Sequence, residues 1–244
     1  MVRMTKAQLC AKTGGLGRRL LLLAGGFALT LAGVGVSPAW ADAAAGKKIF
    51  EAKECGACHA ASGPVATVPV AERAKIKGPP LWFAGSKFQS EWLTAWLAKP
   101  VPILRVKYGT LIEGANAHVA LPASDAKEAG AYLMSLIDGE VQLGVIKKKK
   151  LTRRKMFKGE ALFAKKQVCF GCHQYTSKGN DIGGFSGPSI VGAGARLQVD
   201  WVYAFLKDPL RYYPNGRMPV YGDQAFEPYT EDKLKLLVQY IGNQ

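Results

Sequence analysis

The first 41 residues contain no acidic side chain, and the 244-residue chain has only one long apolar run, the 17 residues from Leu20 to Val36. Ahead of that run stand Arg3, Lys6, Lys12, Arg18 and Arg19, and after it comes the small-x-small sequence Ala39-Trp40-Ala41. A basic start, an apolar middle and a small-residue site form a secretory signal pattern over residues 1–41, which predicts cleavage before Asp42 and export to the periplasm. An uncleaved membrane anchor is the alternative, since the run touches the lower limit of about 17–25 residues for a spanning helix. Gly25, Gly26, Gly33 and Gly35 dilute the run and favour cleavage. The 203 residues that follow are enough for one or two domains and exclude a large multidomain enzyme.

Acids are scarce elsewhere in one place only. Residues 42–145 carry 11 basic and 10 acidic side chains and residues 159–244 carry nine and eight, so both blocks are close to neutral. Residues 146–158 hold Lys147, Lys148, Lys149, Lys150, Arg153, Arg154, Lys155 and Lys158 and no acid. Such a run reads as a solvated, self-repelling linker. The compatible functional reading is a docking patch for acidic partners, or for an anionic membrane surface through residues 147–158. No nucleic-acid motif is recognisable, and nucleic acid is not expected as a partner.

Of five cysteines, Cys10 lies in the leader, which leaves four, arranged as Cys55-Gly56-Ala57-Cys58-His59 and Cys169-Phe170-Gly171-Cys172-His173. A thioredoxin-like redox pair, a zinc site and a covalent haem anchor all use paired cysteines. On one helical turn, thiols three residues apart can reach the two vinyl groups of a porphyrin, and the next residue then points its imidazole at the iron. Zinc needs four ligands in one place, whereas these pairs lie far apart in sequence. The doubled motif in an exported chain therefore points to two covalently bound haem c groups, with His59 and His173 as proximal ligands.

The motifs belong to a larger repeat. Residues 78–100 align without gaps to residues 187–209 at a constant offset of 109, with nine identities in 23. Phe88, Trp92, Leu93, Trp96 and Leu97 match Leu197, Trp201, Val202, Phe205 and Leu206 at helical spacing, and Pro100 and Pro209 stop each helix. Gly46 and Phe50 match Gly159 and Phe163 in an amphipathic segment before each motif. Ser124-Asp125 and Thr230-Glu231 read as N-caps of a final helix that contains Tyr132 or Tyr240.

With these residues, each half resembles a class I cytochrome c domain, and the whole resembles bacterial diheme cytochromes c over essentially all of residues 45–244. The resemblance implies an all-α fold of two tandem cytochrome c-like domains, 42–145 and 159–244, joined by the basic linker 146–158. In each, the first and last helices would cross, glycine and phenylalanine of one meeting the aromatic of the other, around a buried haem. It also gives Pro79 and Pro188 a role, since their carbonyls would accept a hydrogen bond from the far nitrogen of the proximal histidine. A plain loop turn is the alternative for each Gly-Pro pair.

The sixth ligands differ between halves. Met218 is the only methionine after residue 156, and Pro214-Asn215-Gly216-Arg217-Met218-Pro219 resembles the family's axial-methionine loop. In the first half Leu121 stands before the corresponding proline, and leucine cannot ligate iron. His118, three residues before Pro122, is the one histidine left over and is the expected sixth ligand, which makes haem 1 bis-histidine. Lys107, another displaced ligand or an open five-coordinate iron are the alternatives. Met134 is expected in the core. A thioether favours ferrous iron, so haem 1 should hold the lower potential and electrons should run downhill to haem 2.

The expected function is a periplasmic electron carrier that passes single electrons between a donor and an acceptor protein. A diheme redox enzyme of peroxidase-like or sulfur-compound-oxidising type is the runner-up, and it needs an open or displaceable ligand on haem 1. A cytochrome subunit of a membrane redox complex is the third reading. All four mature cysteines serve as anchors, so no thiolate remains for an axial position. Pro100 to His118 spans 18 positions against nine from Pro209 to Met218. That excess is read as shielding for haem 1, a partner site or a tolerated loop.

Overall fold

Asp42 caps the first helix: its carboxylate accepts a hydrogen bond from the Ala44 amide at 2.8 Å and satisfies one of the helix's unpaired N–H groups. The computed structural model describes residues 42–114, 118–220 and 229–244; the leader with Cys10, and the Ala115–Ala117 stretch ahead of His118, lie outside the described residues. Among the described residues ten α-helices follow in order, α1 (Ala43–Ala52), α2 (Val70–Arg73), α3 (Ala84–Lys87), α4 (Ser90–Ala98), α5 (Ala123–Ser135), α6 (Arg153–Ala161), α7 (Ala193–Arg196), α8 (Val199–Lys207), α9 (Pro209–Tyr212) and α10 (Glu231–Ile241). Among the described residues no helix is long and apolar enough to cross a membrane.

In each half the first long helix crosses the last one where glycine removes a side chain. A Cβ on Gly46 of α1 would fall 1.9 Å from the Glu128 carbonyl oxygen of α5, and one on Gly159 of α6 would fall 2.5 Å from Tyr240 Cβ of α10. Phe50 then meets Tyr132 edge-on at 5.4 Å, and Phe163 lies 6.0 Å from Tyr240. Phe163, Leu237 and Val238 are almost fully buried. Each such side chain contributes about 1.5–3 kcal/mol of apolar transfer free energy.

The expectation of an all-α chain meets one addition, an antiparallel hairpin of β1 (Tyr175–Ser177) and β2 (Asn180–Ile182). Its two-residue turn, Lys178-Gly179, has positive φ at both positions (50° and 81°), the turn that matches strand twist. The expected cap at Ser124 is corrected: Pro122 is the cap position of α5, and Ser124 and Asp125 lie inside its first turn. Proline holds the extended backbone that a cap position requires but offers no side-chain acceptor, so the first turn of α5 has no side-chain cap. Thr230 does stand at the cap of α10, without a side-chain hydrogen bond. Phe88 likewise lies outside the aromatic helix, because it pairs with Leu197 as an isolated antiparallel bridge.

That bridge is the centre of a local two-fold arrangement. The Gln89 amide donates to the Arg196 carbonyl and the Gln198 amide to the Lys87 carbonyl, at 2.9 and 2.8 Å. Gln89 Nε2 donates to the Leu197 carbonyl and Gln198 Nε2 to the Phe88 carbonyl, at 3.0 and 2.9 Å. Positions 87–89 and 196–198 are equivalent at the 109-residue offset, so the two halves meet through the same three positions, and each bond made by one segment is matched by the equivalent bond from the other. Symmetry fails just upstream, where Trp82 and Phe83 stand against Val191 and Gly192. Phe83 stacks on Trp201 at 5.7 Å and Trp82 on Tyr212 at 6.0 Å, so these rings belong to the second half's core. Residues 40–244 accordingly form a single compact unit.

The basic connector is divided. Its last part, from Arg153, is already α6, capped by Thr152. Its first part lies against the second half: Lys148 Nζ donates to the Gly194 carbonyl at 3.0 Å, Asn243 accepts from the Leu151 amide at 3.1 Å, and Ile146 and Leu151 are buried. The excess segment of the first half is ordered as well. Val106 bridges Glu113, the Lys107 amide donates to the Ile112 carbonyl at 2.8 Å, and Gly109 turns the chain with φ +73°.

Candidate functional site

Each cysteine motif folds as a single tight turn, Cys55–Ala57 and Cys169–Gly171. The residue ahead of each, Glu54 and Val168, is left-handed at φ 53° and 48°. For a β-branched valine this is an uncommon and costly conformation, of the sort that collects at functional sites. All four cysteines are outside any disulfide; Cys58 and Cys172 are exposed, and Cys55 and Cys169 half-buried. A thiol, unlike a disulfide, can still form a bond to a cofactor.

His59 Nδ1 lies 2.7 Å from the Pro79 carbonyl and His173 Nδ1 2.7 Å from the Pro188 carbonyl. A carbonyl can only accept, so Nδ1 carries the proton and donates, and the lone pair of each ring is left on Nε2. Burial pulls both imidazoles below their ordinary pKa of 6.5, against the opposing pull of the proline carbonyl. Both rings are therefore neutral and offer Nε2 to a metal. Gly78 and Gly187 make room: a Cβ would stand 2.7 Å from His59 Cε1 and 2.6 Å from His173 Cε1.

His118 comes to the first motif. Its ring centroid lies 6.2 Å from that of His59 with the planes tilted by 46°, and its Nδ1 faces the Val119 carbonyl at 3.0 Å. Trp96 supports the ring at 4.6 Å. Two imidazoles bound through Nε2 on opposite sides of one metal ion would have centroids about 6 Å apart, from bonds of about 2.0–2.1 Å plus the ring radius. Met218 is half-buried and packs, as Cys169 does, against the core of the second half. Met134 packs in the core of the first. Among the described residues no cluster of three or more His, Cys, Asp or Glu could hold a metal ion by itself.

Two features went unread in the sequence. Lys87 and Arg196, equivalent in the repeat, are basic side chains set among aromatic rings, Arg196 buried and Lys87 half-buried: Lys87 Nζ lies 5.1 Å from the Trp201 ring and 2.6 Å from Tyr213 Oη, and Arg196 Cζ lies 6.0 Å from the Trp92 ring. Among the described residues neither has a carboxylate within ion-pair distance, and burial pushes Lys87 down to about 7 and Arg196 to about 10. Among the described residues the indole N–H groups of Trp82 and Trp201 and Nε of Arg73 are buried without an acceptor. Donors and cations that face no carboxylate among the described residues fit a bound group that brings its own, as a haem does with its propionates. The signal was the matched Lys87/Arg196 pair inside the repeat, which acquires meaning only once its burial is known.

A cleft of about 200 Å³ joins Cys58, Gly78 and Tyr108 to Tyr213 and Asn215 of the second half. A larger depression of about 460 Å³ lies between α4 and α5, lined by Thr94, Lys127 and Met134, and touches neither motif. Comparison of the chain with protein-family models, curated proteins and solved structures finds no match.

Proposed function

We propose that the protein is a diheme c-type cytochrome of the periplasm that carries single electrons between redox partner proteins. The observation that carries this reading is the doubled Cys-x-x-Cys-His motif in which each histidine donates Nδ1–H to a proline carbonyl at 2.7 Å. Cys55, Cys58, Cys169 and Cys172 would each add a thiol across a porphyrin vinyl group, and His59 and His173 would ligate through Nε2. Once bound, the haem iron supplies the one-electron chemistry, and the protein supplies ligation, dielectric and a docking surface. Pro79 and Pro188 fix the ring planes and raise ligand basicity. His118 would ligate opposite His59, and Met218 opposite His173. Arg196, and Lys87 when protonated, would face the negative charge that haem propionates bring. The exposed cations at 147–150 provide salt-sensitive attraction for acidic partner surfaces.

An optical redox titration of the exported protein tests this. The expected result is two covalently bound, low-spin haems with separate midpoints, the lower one moving upward in His118→Met. A chain purified without haem, or one whose two midpoints ignore His118→Met, contradicts the proposal or its first axial assignment respectively. A high-spin haem that binds carbon monoxide or peroxide would instead favour an enzyme with an open iron at the first site.

A further inference from the structure

Alternate residues of the loop that leads to Met218 are each held by the first half. Tyr213 Oη accepts from Lys87 Nζ at 2.6 Å. Asn215 Oδ1 accepts from the Val68 amide at 2.8 Å, and its Nδ2 donates to the Ala66 carbonyl at 3.1 Å. Arg217 spans two carbonyls, donating Nη2 to Gly109 at 2.8 Å and Nη1 to Thr110 at 3.0 Å. Gly109 and Thr110 form the tip of the excess segment of the first half. The same segment reaches the opposite side of the second site, where the Ser189 amide, next to Pro188, donates to the Ile103 carbonyl at 3.3 Å and Arg105 lies over the Phe185 ring at 4.9 Å. One stretch of the first half thus touches the neighbours of both Met218 and Pro188, and it continues to His118.

We propose that Arg217 and Asn215 are positioning residues: through them residues 66–68 and the 101–114 segment of the first half hold Met218 at the second haem. This rests on the reading of Met218 as an axial ligand. The forked guanidinium suits two adjacent carbonyls in a way a point charge does not. Without these bonds the loop 213–218 loses two of the three side-chain hydrogen-bonded ties to the first half found among the described residues, and the thioether exchanges more readily with an external ligand.

The test uses the purified ferric holoprotein, with cyanide as the competing ligand and the red-region thioether-to-iron absorption band as the direct signal. Wild type should show the band and Met218→Ala should lose it. In Arg217→Ala and Asn215→Ala the band should weaken and cyanide affinity at that haem should rise by about tenfold, as expected for the loss of one or two net hydrogen bonds. The haem 1 spectrum should stay as in wild type and the thermal midpoint should fall by no more than about 2–4 °C per hydrogen bond lost, which separates positioning from a general loss of structure. Arg217→Lys should fall between wild type and alanine. A band that Met218→Ala abolishes but that neither alanine variant moves overturns the inference and leaves the ligand assignment standing; full wild-type behaviour in Arg217→Lys overturns the role of the fork. A wild-type band that is absent removes the Met218 assignment and the inference with it.

Discussion

Gly187 is a residue whose side chain is missing so that another's can be placed. An added Cβ would lie 2.6 Å from Cε1, 2.8 Å from Nδ1 and 3.0 Å from Nε2 of His173, over the face of the ring. In Gly187→Ala the imidazole has to move, and the 2.7 Å bond to Pro188 goes with it. Haem bound per chain should therefore fall from two towards one, read from the haem-to-protein absorbance ratio; full loading with both midpoints intact would show that the glycine is only a turn residue. At this scale the sequence was legible where chemistry demands neighbours. Two thiols and an imidazole that are to serve one porphyrin edge, as we propose, must lie within one turn, so Cys55, Cys58 and His59 can be read as a string. Lys87 and Arg217 could not be read so, because what they do depends on which distant group they face.

The crossing of α1 on α5, and of α6 on α10, sets how far apart the two walls around each motif stand. A methyl group on Gly46 would overlap the backbone at Glu128, 1.9 Å away, whereas one on Gly159 meets Tyr240 at 2.5 Å. Overpacking costs about 1–3 kcal/mol and the alanine gains about 1 kcal/mol in helix propensity, so Gly46→Ala should destabilise by up to about 2 kcal/mol net, the backbone clash placing it at the upper end. Denaturant unfolding of the holoprotein would measure this, and an unchanged midpoint would mean that the helices separate without loss. The amphipathic segments behind these crossings were visible as glycine and phenylalanine at matched places in the repeat. The short elements were not: the β1–β2 hairpin rests on a two-residue turn, and the start of α5 at Pro122 instead of Ser124 is a choice between two acceptable caps. The 101–114 segment showed only as surplus length, because a hairpin docked on the other half has no periodicity of its own.

At the scale of the whole molecule the repeat was plain, but how its copies meet was not, since a repeat fixes what each copy is and leaves its contact with the other open. The paired 87–89 and 196–198 segments lie at the centre of that contact, and a buried charge ties the end of the first half to α9. Asp138 is 4% exposed and accepts from Arg211 Nη2 at 2.8 Å, Arg211 Nε at 3.1 Å and Tyr212 Oη at 3.0 Å. Burial by itself raises the pKa of this carboxyl, but the hydrogen bonds from Arg211, the Glu140 amide and Tyr212 outweigh it and hold the pKa below the usual 3.8. A carboxylate depressed in the folded state stabilises fully above the unfolded value and loses that stabilisation as pH falls through the folded one. Removing one partner of a buried pair costs about 3–5 kcal/mol, less here because Arg211 is 24% exposed, so Asp138→Asn should lower stability by about 2–3 kcal/mol at pH 7. Below about pH 4 the wild-type curve should bend down towards the variant's, and the gap should narrow as Asp138 takes up its proton. Unfolding curves for both proteins from pH 7 to pH 2.5 decide it: a gap that stays constant across that range would mean that Asp138 contributes shape and hydrogen bonds but no charge to the junction of the two halves.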